Sequence, residues 1–135
     1  MAHHSRRAPQ PGDHDMRYLV LVGHDEKGGK TTSPEQHRAL FAAYQKYEAD
    51  LKQAGVFLAG EPLQSSERAV RISSEGGKRK LLDGPFSESK EIIGGYFLLE
   101  VKSRDEAMEW AARCPAAQLG GWSYAELREI QEIPR

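Results

Sequence analysis

The spacing of apolar positions changes several times along the chain, and each change marks an element. Arg17–Gly23 (Arg-Tyr-Leu-Val-Leu-Val-Gly) runs on without a polar break, as expected of a strand covered on both faces. His24–Thr32 is polar and Gly-rich, a loop. Ser33-Pro34-Glu35-Gln36 then announces a helix: Ser33 can cap it, Pro34 suits the first helical position, and Gln36 can complete a capping box. His37, Phe41, Tyr44, Glu48 and Leu51 follow at helical spacing, flanked by Leu40 and Tyr47, and Gly55 supplies a left-handed stop.

Val56–Gly60 reads as a short strand that Glu61-Pro62 breaks. Ala69–Ser73 and Arg79–Leu82 flank a Gly-bearing turn at 74–78, the pattern of a hairpin. A loop from Asp83 to Glu91 leads to a strand over Ile92–Val101, where Gly94-Gly95 predicts a bulge or a close backbone approach. Ser103-Arg104-Asp105-Glu106 is a second capping box, opening a helix that Pro115 ends near Arg113–Cys114. Tyr124–Ile133 suits a helix or a strand equally by pattern. With a strand there, the order is β-α-β-hairpin-β-α-β, an α+β ferredoxin-like split βαβ plan with an added hairpin. Helices on one side leave the other sheet face needing cover, which points to a homodimer.

Composition narrows the class. The 135 residues suit one domain, with 39% hydrophobic residues for a core and a formal net charge of −1. That balance argues against a nucleic-acid or anionic-membrane binder. The apolar runs fall far short of the roughly 18–20 residues that a membrane span needs. The single cysteine, Cys114, can form neither an internal disulfide nor a thiolate zinc cage. These features predict a cytoplasmic protein. Residues 1–15 hold His3, His4 and His14 with almost no apolar side chain, and read as a disordered leader or tag remnant ahead of a domain over 16–135.

Candidate chemistry is sparse. Gly23–Thr31 sits where a phosphate loop belongs, but it has one residue too many between the first Gly and Gly-Lys-Thr, and its helix starts late, at Ser33-Pro34. A surface loop explains it better. His37, in register with Phe41 and Tyr44, is expected to point toward the sheet, as a base, a ligand or a satisfied histidine. His24, just past the first strand, is a weaker candidate, and neither histidine has the carboxylate spacing of a metal site. Met108, Trp110 and Trp122 read as packing residues, and Lys78-Arg79-Lys80 as a charged edge guard.

Asp83-Gly84-Pro85-Phe86, followed by Lys90 and Glu91, is the most informative segment. By residue chemistry it is a rigid turn, or a charged loop that converges Asp83, Lys90 and Glu91 on a pocket. Here the chain resembles the DGPF-domain proteins of the YCII-related superfamily. The resemblance extends to Met16–Val22, Ala54–Glu61, the Lys90-Glu91 approach to Gly94-Gly95-Tyr96, and Trp110–Pro115, in the family's order. It implies a ferredoxin-like fold that dimerises as dimeric α/β barrels do, with a cleft between sheet and helices, and it makes Glu126–Ile130 the last strand. It also implies a link, for some relatives, to extracytoplasmic-function sigma factors. Some relatives resemble enzymes with a His–Asp pair on the first helix. Counting back from Gly55, those places fall on Tyr44 and Gln53, so this chain departs from that pattern.

Two functions follow as expectations. One is a small homodimer with a ligand pocket, in which Asp83, Glu91 and His37 are the acid–base groups and Lys90, Phe86 and Tyr44 contact the substrate. If catalytic, such a site supports lyase or isomerase chemistry on a small organic molecule, with no cofactor and no metal. The alternative is a non-catalytic accessory protein for a sigma factor, with Asp83–Phe86 a structural corner.

Overall fold

The computed structural model of the protein describes residues 15–25, 33–84 and 91–134. Its elements are strand β1 (Met16–Asp25), helix α1 (Pro34–Gln53), strands β2 (Phe57–Pro62), β3 (Val70–Glu75), β4 (Lys78–Asp83) and β5 (Glu91–Val101), helices α2 (Arg104–Arg113) and α3 (Pro115–Leu119), and strand β6 (Ser123–Glu129). Four strands form an antiparallel sheet in the order β2-β5-β1-β6, and β3 and β4 pair separately. β5 thus separates β1 from β2, the two strands that α1 connects, which is the split βαβ arrangement. The mixed α+β architecture is consistent with a ferredoxin-like fold, and the ambiguous tail is a strand. β2 runs through Pro62 instead of stopping at Gly60; as an edge strand it tolerates the missing donor.

Strand alternation decides which residues enter the core. Tyr18 and Val20 of β1 and Phe97, Leu99 and Val101 of β5 are buried beneath the helices. α1 contributes Tyr47 and Leu51, and α2 contributes Ala107, Trp110 and Ala111, with Cys114 and Ala116 behind them. The opposite row, Leu19 and Leu21 with Tyr96 and Leu98 across from them, lies on the uncovered face and is only half-buried. β1 pairs Val22 with Gly95 and then Gly23 with Ile93, so Gly94 is the extra residue of a bulge. A Cβ on Gly95 would stand 3.0 Å from the Glu61 carbonyl oxygen, so the neighbouring strand leaves no room for a side chain. Both readings of the Gly-Gly pair therefore hold.

The helix starts follow from local chemistry. Ser33 Oγ accepts from the Gln36 amide at 3.1 Å, and Gln36 Oε1 accepts from the Ser33 amide at 2.8 Å, a complete capping box. At α2, Ser103 Oγ accepts from the Glu106 amide at 3.1 Å, but Glu106 Oε1 takes the amide of Lys102 instead. The buried stripe of α1 is rotated from the one its spacing suggested. Phe41 is 65% exposed, and the inward row is Leu40, Tyr44, Tyr47 and Leu51. The rotation places Tyr47 so that its hydroxyl donates to the Trp110 carbonyl at 2.7 Å, an oxygen in the last turn of α2 with no intrahelical partner. The Tyr47 ring meets Phe97 edge-on at 5.0 Å.

The β3–β4 hairpin turns on Gly76 and Gly77, whose φ values of +59° and +80° suit the two-residue turn that matches strand twist. Val70, Ile72 and Leu81 share one of its faces and all remain exposed.

Replacing Tyr47 with Phe should cost about 1–3 kcal/mol, because it orphans a buried carbonyl, and should lower the melting temperature by several degrees in calorimetry. Burial also raises the pKa of Tyr44, Tyr47 and Cys114 above their ordinary values. The folded state therefore holds their protons more tightly than the unfolded state does. The stability this contributes is complete below the ordinary values of 9.0 for the thiol and 10.0 for the phenols, and is lost as pH rises past them. The melting temperature should show no loss from these groups at neutral pH and should drop steadily above pH 9.0. In Tyr44→Phe the drop should be shallower.

Candidate binding cleft

The first half of α1 is largely exposed. Only Tyr47 and Leu51 of this helix are fully buried, both in its second half. The chain then supplies an opposing wall by a local accident of sequence. Pro115 ends α2 at Cys114 and begins α3, and Gly120 and Gly121, at φ +72° and +61°, turn the chain back into β6. Between α1 and this wall lies an open cleft of about 970 Å³.

Its helix wall carries His37, Leu40, Ala43 and Asp50, and its other wall Arg113, Pro115, Leu119 and Trp122. Leu119 and Trp122 are 59% and 55% exposed, apolar surface presented to the opening. His24 closes one end. It continues the inward row Tyr18, Val20, Val22 and packs against Gly94, where a Cβ would come within 3.4 Å of its ring. At the far end, Asp50 Oδ2 receives two cations, Lys46 Nζ at 3.0 Å and Arg113 Nη2 at 3.3 Å. The Arg113 guanidinium also lies 4.2 Å over the Trp110 ring, a contact that orients it.

The structure distributes the expected site residues unevenly. His37 lies in the cleft, but on an exposed stretch of α1 rather than facing the sheet, because the helix is rotated. Tyr44 sits behind the wall. Its ring stacks on Phe97 at 6.2 Å, and its hydroxyl neighbours the Cys114 thiol. It is not among the described lining residues. Asp83 ends β4 opposite Val70 and is exposed, also outside the described lining. Glu91 enters as the first residue of β5, and Phe86 and Lys90 lie outside the described residues. Among the described residues, no three His, Cys, Asp or Glu groups come together as metal ligands.

Sequence reasoning missed the charged end of the cleft and took Trp122 for a packing residue. The i, i+4 pair of Lys46 and Asp50 was a legible signal. The approach of Arg113 was not, since it comes from another helix. Trp110 packs as expected, whereas Met108 is 50% exposed.

The described start of the Asp-Gly-Pro-Phe segment is a corner. The Gly84 amide donates to the Ala69 carbonyl at 2.8 Å, and a Cβ there would collide with the Ser66 carbonyl oxygen. Asp83→Ala should therefore change stability by no more than about 0.5 kcal/mol, as an exposed site does. Gly84→Ala should cost about 1–3 kcal/mol by forcing the backbone to move. Paired thermal melts check both.

The model of the YCII-related domain matches residues 16–131, nearly the whole described chain. An uncharacterized protein of Rhizobium meliloti (strain 1021) is 28% identical over 115 residues, covering 85% of this chain and 92% of the relative. The family match spans all six strands and three helices that build the sheet, the hairpin and both walls of the cleft. The protein thus belongs to the YCII-related domain family.

Proposed function

We propose that the protein binds a small organic molecule in the cleft between α1 and the 113–123 segment, and that it does so as a homodimer. The single observation that carries the first part is the cleft itself. Its volume of about 970 Å³ is that of a small-molecule site, and its lining mixes apolar side chains with charged, amide and imidazole groups. The two imidazoles, His24 and His37, are its candidate proton-transfer groups. If the protein is an enzyme, its chemistry is acid–base, with His37 as the exposed proton carrier. Asp83 then serves the hairpin and not the reacting centre.

The dimer reading rests on the uncovered face of the sheet. Leu19, Leu21, Tyr96 and Leu98 form an apolar patch that one further layer would bury. A second reading, a non-catalytic accessory protein that docks on a partner such as a sigma factor, is favoured by the exposed Val70, Ile72 and Leu81 of the hairpin.

A thermal-shift screen of small organic molecules tests the main reading. Hits are expected to stabilise the protein and to lose their effect in Ala43→Trp, which fills the cleft from an exposed helix position. Hits indifferent to that substitution, or no hits, would overturn the cleft as the site. Light scattering should give twice the chain mass of 15.1 kDa, and Leu21→Arg with Leu98→Arg should return it to the monomer value. A monomeric wild type would overturn the dimer.

A further inference from the structure

The charges of the cleft narrow what it takes. At the far end two cations, Lys46 and Arg113, converge on one carboxylate, and both reach the same oxygen of Asp50. One carboxylate neutralises one of them, so the three groups together carry one net positive charge. Neither cation is saturated by that contact: a lysine ammonium has three N–H donors and a guanidinium five, and their side chains are 77% and 50% exposed. Leu40, Ala43, Pro115 and Leu119 supply apolar lining to the same cleft. Lys46 follows His37 by nine residues on one continuous helix, which at about 1.5 Å per residue separates them by roughly 13.5 Å along the axis, on opposite flanks of the helix.

We propose that the cleft binds an elongated organic carboxylate, its anionic end on Lys46 and Arg113 and its apolar body along Leu40, Ala43 and Pro115. Its other end then lies beside His37 and His24. Asp50 competes with the incoming carboxylate for the two cations. This inference rests on the cleft being the ligand site, and the experiment separates the two.

Octanoate and phenylbutyrate are titrated into the full chain beside octanol and phenylbutanol, which match their bodies without the charge. The Trp122 indole N–H resonance reports occupancy of the cleft. The carboxylates should bind at least about tenfold more tightly than the alcohols, the worth of one charge-assisted hydrogen bond, and the difference should shrink with added salt. Lys46→Gln with Arg113→Gln should abolish the difference and leave alcohol binding unchanged. Asp50→Asn should tighten carboxylate binding, because it removes the competitor; a purely structural role for Asp50 would weaken binding of acids and alcohols alike.

Equal binding of acid and alcohol at Trp122, or carboxylate binding weakened by Asp50→Asn, overturns the anion assignment and leaves the cleft standing as a site. Binding that leaves the Trp122 resonance unmoved, or no binding by any of the four probes, overturns both.

Discussion

The structure is organised around Tyr47. Its hydroxyl satisfies the Trp110 carbonyl at 2.7 Å, and its ring packs edge-on against Phe97 of the sheet. One side chain thus joins α1, α2 and β5. A buried phenol must find a partner for its hydroxyl, and the last turn of a helix has carbonyls with none. These two needs are met at one point, and meeting them sets the rotation of α1. Leu40, Tyr44 and Leu51 turn inward with Tyr47, while Phe41 and His37 turn out.

That rotation also explains why the cleft exists. With Tyr47 and Leu51 anchored, the first half of a 20-residue helix stays largely exposed, with Leu40 half-buried. The Pro115 break and the Gly120-Gly121 turn bring a second wall up beside it but leave the cleft open. The cleft is a gap between two elements, each placed for a reason of its own. Its charged and imidazole groups come from different elements. The imidazoles sit where β1 runs out, and the Lys46–Asp50–Arg113 cluster sits where α1 and α2 come together.

The hairpin stands apart from this scheme. A two-stranded ribbon is marginal on its own, and this one keeps Val70, Ile72 and Leu81 exposed. Asp83 and Gly84 secure its base, where the Gly84 amide bonds to Ala69. The visible half of the Asp-Gly-Pro-Phe motif is therefore explained by chain geometry: glycine is the residue that fits under the Ser66 carbonyl. The outer sheet face and the hairpin stripe are two apolar surfaces that the described residues do not bury.

Most of the fold was legible in the chain because it rests on local rules. Ser33 and Gln36 marked the start of α1, the Gly76-Gly77 turn marked the hairpin, and Gly94-Gly95 marked the bulge. Pro115 marked the end of α2. Each of these acts within a few residues of itself. The strand at Ser123–Glu129 was not legible by pattern, because its half-buried positions follow no single period; pairing with β1 decides it. The face of α1 was misjudged for the same reason, since aromatic residues flank both sides of the stripe and only the Trp110 carbonyl selects Tyr47. The site was less legible still. His37 was named from its place on α1 and lines the cleft, whereas Asp83, named from its nearness in sequence to Lys90 and Glu91, ends β4 outside the described lining. Arg113 meets Asp50 across a separation of 63 residues. Capping, turns and breaks are short-range and written in the chain, while a cleft is a relation between distant surfaces, which only the packed structure sets.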